Sequence, residues 1–215
     1  MNKFSEPVNN QQATQFGLIR HAATLWNNQK KIQGQLDSPL SPAGREQAAA
    51  WGKELSGFSW QRILCSDLGR ARETAALINE ALNLPVMVEP KLREQDWGQW
   101  SGMTLAELRN SAPGLLLRQV RSGWNFRPPG GESRQEVLER CLPVLQEAGT
   151  SYPGERILVV CHEGVIKCLL YHLLGRRFLP EEPKKIQGFH LHLLECRDRK
   201  LYLAHMNRLA LHRAS

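Results

Sequence analysis

Three short runs of the chain are apolar without alternation: Phe16-Gly17-Leu18-Ile19, Arg62-Ile63-Leu64-Cys65 and Arg156-Ile157-Leu158-Val159-Val160. Runs of this length, bounded by polar residues, predict strands buried on both faces. Pro85–Val88 is a further strand candidate. The segments between carry helix signals. Ser41 followed by Pro42 reads as an N-cap and first helical position, opening a helix to about Leu55. A second helix is predicted from about Leu68 to Leu82, stopped by Asn83 ahead of Pro85. Others are predicted over Glu132–Glu147, with a kink at Pro143, and over Glu163–Leu174. Near the end, Gln187–Leu194 and Leu201–Met206 alternate as an antiparallel pair around a turn at Arg197–Lys200.

Strands alternating with helices predict an α/β fold, a three-layer α/β/α sandwich with a mostly parallel central sheet. Residues 1–14 are polar and amide-rich and read as a mobile leader. Residues 15–215 then form a single domain, with an insertion at about 95–131. That insertion carries Trp97, Trp100, Trp124 and Phe126 among several glycines and Pro113, Pro128 and Pro129, which suits short helices and loops.

Composition narrows the partners. The formal charge is +7, which favours anionic ligands, but Lys and Arg are scattered and cluster only as doublets such as Lys30-Lys31 and Lys184-Lys185. A nucleic-acid surface would concentrate them in a stripe with interleaved aromatics, so no nucleic-acid partner is expected. Five cysteines at 65, 141, 161, 168 and 196 show no C-x-x-C spacing, and Cys65, Cys161 and Cys168 lie in apolar stretches. Buried reduced thiols of a cytoplasmic protein are expected rather than a disulfide framework. There is no secretory signal pattern and no run of about 18 apolar residues, so no membrane partner is expected.

In parallel sheets the reactive residues gather at the carboxyl ends of strands. Here three strands end in Arg20-His21, Cys65-Ser66-Asp67 and Cys161-His162. Arginine presents a fixed fork of donors to phosphate oxygens, and neutral imidazole is a nucleophile near pH 7. An Arg-His pair alone also reads as a capping histidine beside a salt-bridged arginine.

The surrounding residues are more specific. Leu18, Arg20, His21, Thr24 and Asn27 match L-x-R-H-G-x-T-x-x-N, and the chain continues Gln33-Gly34-Gln35-Leu36-Asp37-Ser38-Pro39-Leu40-Ser41. Ser66-Asp67-Leu68-Gly69-Arg70-Ala71, Leu92-Arg93-Glu94 and Val159-Val160-Cys161-His162 follow in order. These blocks resemble the signatures of the histidine phosphatase superfamily, also called phosphoglycerate mutase-like, and Pro128–Ser133 resembles the P-x-G-E-S turn of its phosphatase branch. The resemblance implies a phosphoglycerate mutase-like fold and a phosphomonoester phosphatase acting on a small phosphorylated metabolite. By it the catalytic set is Arg20, His21, Arg70, Glu94 and His162. Phosphate or substrate would be held by Arg20, Asn27, Gln33, Gly34, Arg70 and His162. His21 would attack phosphorus, a protonated His162 would stabilise the transferring group, and Glu94, rather than Asp96, would protonate the leaving oxygen. Arg72 is read as a solvated helix residue. No metal and no cofactor are implied, because cationic side chains supply the charge stabilisation. Phosphoglycerate mutase-type transfer and α-ribazole phosphate phosphatase activity are the nearest alternatives, a binding module without turnover the remote one, and monomer and homodimer are both open.

Two positions depart from the pattern. Ala22 stands where the resemblance has glycine, which a backbone of negative φ tolerates. Glu163 follows the second histidine where glycine is usual. A carboxylate facing a phosphate pocket would repel substrate, so Glu163 is expected to point outward, stabilised at a helix start.

Overall fold

The computed structural model describes residues 12–213. Its elements in chain order are β1 (Thr14–Arg20), α1 (Leu25–Asn28), α2 (Pro42–Leu55), β2 (Arg62–Cys65), α3 (Gly69–Leu82), β3 (Val86–Val88), α4 (Leu105–Ser111), α5 (Pro113–Arg121), α6 (Arg134–Ser151), β4 (Arg156–Cys161), α7 (Glu163–Leu173), β5 (His190–Arg197) and β6 (Lys200–Ala210). They build one six-stranded sheet in the order β3-β2-β4-β1-β5-β6. The first four strands are mutually parallel, and β5 and β6 add an antiparallel hairpin beside β1.

Alternation along the strands decides which helices cover which face. Ile157, Val159 and Cys161 of β4, with Phe16 and Leu18 of β1, pack against α6 and α7. Leu158 and Val160, with Ile19 and Ile63, pack against α2 and α3. Three layers result, and β4 is buried on both faces, as its uninterrupted apolar run requires. All five cysteines are buried free thiols.

Several expected boundaries move. The leader was expected to run through residue 14. Residues 1–11 lie outside those described, but Thr14 already begins β1 and is buried, its hydroxyl shared between the carbonyls of Gly149 and Tyr152. Those two side-chain bonds anchor the strand two residues early. Helix α6 runs through Pro143 to Ser151, beyond the expected end at Glu147. Its Ser133 cap, with Glu136 returning the bond, lies inside the glycine-proline turn. The β5–β6 hairpin turns at Asp198 and Arg199, both with positive φ, as a two-residue turn between twisted strands demands. Segment 95–131 forms α4, α5 and short 3₁₀ turns around a small cluster of Trp100, Leu108 and Phe126.

Register aligns the reactive strand ends. Arg20 pairs with Cys161 and Cys65 with Val160. Beyond the sheet, His21 N–H donates to the Cys161 carbonyl and Ser66 N–H to that of Val160. Side chains at 21, 66 and 162 therefore leave the sheet side by side.

Candidate active site

His21 and His162 face one another, with ring centroids 5.2 Å apart. His21 Nδ1 lies 2.8 Å from the carbonyl oxygen of Ala22, which can only accept, so Nδ1 carries the proton. Nε2 is left as a lone pair, and Arg70 Nε donates to it at 3.3 Å. Burial, then the charges of Arg20 and Arg70, push the His21 pKa well below that of ordinary imidazole. The ring is neutral at pH 7, with its lone-pair nitrogen turned toward a guanidinium.

Arg70 is 1% exposed. It enters from the first turn of α3 and is clamped by segment 34–37. Nη2 donates to the Gly34 carbonyl at 2.7 Å, and Nη1 donates to the Leu36 carbonyl and the Asp37 carboxylate at 2.9 and 3.1 Å. Asp37 also accepts from the Arg70 backbone N–H at the helix start. Gly69 makes that approach possible, since a Cβ there would overlap the carboxylate. Arg72, two residues on, is exposed as expected.

His162 caps α7 and is fully buried. Its Nε2 lies 2.8 Å from Ser66 Oγ, and its Nδ1 has no partner among the described residues. The ring was expected to be protonated. Burial first, then the nearby Arg70, His21, Arg20 and Arg140, push its pKa well below the usual value, so here it is neutral at pH 7.

Glu94 lines the same cavity as His21. Its carboxylate accepts from the backbone N–H of Gln95 at 2.8 Å and of Gly164, at the start of α7, at 3.2 Å. A Cβ at residue 164 would overlap Glu94 Oε1. The glycine this site needs therefore stands at 164, one position after Glu163. The Glu94 carbonyl is held by Arg140, itself paired with Glu132 at 2.7 Å. Asp96 instead caps Gly98 N–H.

Glu163 contradicts its expected outward orientation. Its Oε2 lies 2.6 Å from Arg20 Nη1, and its other oxygen meets Lys167 one turn along α7. Two cations, Arg20 at the end of β1 and Lys167 on α7 itself, attract the carboxylate more strongly than solvent at the helix start. Ala22 is accommodated: its φ is not positive, and its methyl is buried beside Leu40 and Ala48.

These groups line a cavity of about 660 Å³ that takes in Arg20, His21, Asn27, Gln33, Gly34, Arg70, Glu94 and Glu163. His162 is buried beneath the surface of this cavity, its ring 5.2 Å from that of His21. Asn27 uses its amide oxygen to cap Thr24, leaving its nitrogen for the cavity, and buried Gln33 has an unpartnered Oε1. The expected site residues Arg20, His21, Asn27, Gln33, Gly34, Arg70 and Glu94 line this cavity, and His162 adjoins it through His21. Sequence reasoning missed Ser66, Asp37, Gly164 and Arg140 as supports. Asp37 and Ser66 sat inside the recognised blocks, whereas Arg140 gave no local signal. Among the described residues no group of three or more His, Cys, Asp or Glu is placed to hold a metal, and no helix is long and apolar enough to cross a membrane.

The family model of the histidine phosphatase superfamily (branch 1) matches residues 16–208. The glucosyl-3-phosphoglycerate phosphatase of Mycolicibacterium vanbaalenii is 38% identical over 165 residues, 74% of this chain and 73% of that protein. A Cronobacter sakazakii protein described as "Probable phosphoglycerate mutase GpmB" is 37% identical over 158 residues, 74% of each chain. Among solved structures, mycobacterial glucosyl-3-phosphoglycerate phosphatase in complex with VO3 superposes with a TM-score of 0.80 at 32% identity, covering 90% of this chain and 98% of that one.

Proposed function

Because the chain belongs to the histidine phosphatase superfamily (branch 1), we propose that it is a phosphomonoester phosphatase of small phosphorylated metabolites, working through a phosphohistidine at His21. The observation that carries this reading is the fixed tautomer of His21, with Nδ1–H spent on the Ala22 carbonyl and Nε2 left as a lone pair beside Arg70.

Arg20 and Arg70 hold the phosphoryl oxygens, with Asn27, Gln33 and the Gly34 segment around them. His21 Nε2 attacks phosphorus in line, a P–N bond forms, and the ester P–O bond breaks. Glu94 gives its proton to the departing oxygen, then takes one from the water that cleaves the P–N bond, releasing inorganic phosphate and restoring neutral His21. Ser66 accepts from Leu68 N–H and so can donate to His162 Nε2, which places the His162 proton on Nδ1 as a donor to an equatorial oxygen. The negative charge of an entering phosphoryl group would raise the His162 pKa from its depressed value.

The mutase description of one relative favours a second reading, in which the phosphoryl group returns to substrate. The short, tryptophan-rich insertion favours water as the acceptor. Working in the cytoplasm, with free thiols, is part of the same proposal.

The test incubates metal-stripped wild type and His21→Ala with a phosphomonoester, and separately with 2- and 3-phosphoglycerate. Phosphate release by wild type alone is expected. Undiminished turnover in the variant refutes the role of His21, and isomer interconversion without phosphate release refutes the phosphatase reading.

A further inference from the structure

The cavity extends well beyond the phosphoryl site. Gly164, Lys167, Cys168 and Tyr171 line it at the spacing of one helical face, so it follows α7 away from His21. Seven residues at 1.5 Å rise place Tyr171 about 10 Å along the helix from Gly164. There the wall is Arg134, Phe178 and Tyr171.

Arg134 is unlike the other guanidinium groups of the cavity. Arg20 is paired with Glu163 and Arg70 with Asp37. Arg134 has no carboxylate within ion-pair distance among the described residues, and the one hydrogen bond of its guanidinium there runs from Nη1 to the Gly123 carbonyl at 3.0 Å. The guanidinium lies between the faces of Phe126 and Phe178, 4.2 and 4.5 Å from their centroids, and Tyr171 packs on Phe178 at 4.4 Å. Burial lowers its pKa only to about 10, so it is charged at neutral pH. A desolvated cation without a counter-ion, opening on a substrate-sized cavity, favours an anionic oxygen supplied from outside the chain.

We infer that the far end of the cavity is a second anion subsite, where Arg134 receives a carboxylate or second phosphate carried by the substrate while Phe178 and Tyr171 flank the connecting carbons. The substrate class is therefore an extended phosphomonoester that carries a second anionic group at the end remote from the transferred phosphoryl group. The inference rests on the phosphatase reading for turnover. It stands or falls separately as binding.

Three series of increasing chain length test it: n-alkyl phosphates, ω-carboxyalkyl phosphates and α,ω-alkyl bisphosphates. At the matching length, wild type is expected to favour one anionic series over the methyl-ended one by about tenfold or more in kcat/KM. That ratio collapses toward one in Arg134→Gln and recovers in part in Arg134→Lys. Which anionic series gains identifies carboxylate or phosphate. Equal kcat/KM for all three series overturns the inference. So does an equal fall for all three in Arg134→Gln accompanied by a lower Tm, which marks an aromatic clamp only. Calorimetry with the corresponding non-hydrolysable phosphonates, on wild type, His21→Ala and Arg134→Gln, separates the two readings. Tighter binding of anion-ended phosphonates to wild type and His21→Ala, but not to Arg134→Gln, upholds the subsite even if no series is hydrolysed. Binding indifferent to the terminal group, or none, overturns it.

Discussion

Replacing Glu163 with glutamine removes one negative charge from the cavity yet keeps an oxygen that can accept from Arg20 Nη1, now 2.6 Å from the carboxylate. The Glu163 side chain is 38% exposed, so its field is screened nearly as in water. A phosphoryl dianion held on the free edge of Arg20 would sit about 6 Å from that carboxylate. At a dielectric constant near 80 the repulsion is about 1.4 kcal/mol, or roughly tenfold in a binding constant. Glu163→Gln is therefore expected to bind inorganic phosphate about tenfold more tightly, with KM for a phosphomonoester falling by a similar factor and no rise in kcat. Competitive inhibition by phosphate is the assay. The gain should fade as salt approaches about 1 M, where the Debye length is about 3 Å. Phosphate binding that is unchanged or weaker in the variant would refute the electrostatic reasoning and leave Glu163 only the task of orienting Arg20.

Gly164→Ala should displace the Glu94 carboxylate and lower kcat by about 100-fold with little change in KM, checked by steady-state kinetics beside an unaltered circular dichroism spectrum. Because His21 has a depressed pKa, the nucleophile stays unprotonated below the ordinary imidazole range; the acid limb of kcat/KM, if set by His21, should fall below pH 6.5, and a limb at or above that value contradicts the assignment. Buried His192 has its pKa lowered to about 4, chiefly by burial. The unfolded chain therefore binds more protons between about pH 6.5 and 4, so stability is full above that window and falls as pH drops through it. Urea unfolding should show up to about 3 kcal/mol of this loss, diminished in His192→Gln.

The sequence by itself determined the strands and the caps. The uninterrupted apolar runs of β2 and β4 could be satisfied only by burial on both faces, and Ser41-Pro42 and Asn83 mark helix ends through local backbone chemistry. The motif residues were also legible, because a strand end fixes where its next side chain emerges. Tertiary structure alone decided how those residues are charged and held. Glu163 turns inward because Arg20, on the strand beside β4, and Lys167 lie within its reach. His162 is neutral because burial and neighbouring guanidinium groups disfavour its proton. Asp37 fixes Arg70 across 33 residues of chain, Arg140 supports Glu94 across 46, and Arg134 lacks a counter-ion at the far end of the cavity. Coulomb interaction and desolvation depend on distance and dielectric surroundings, which exist only once the chain has folded.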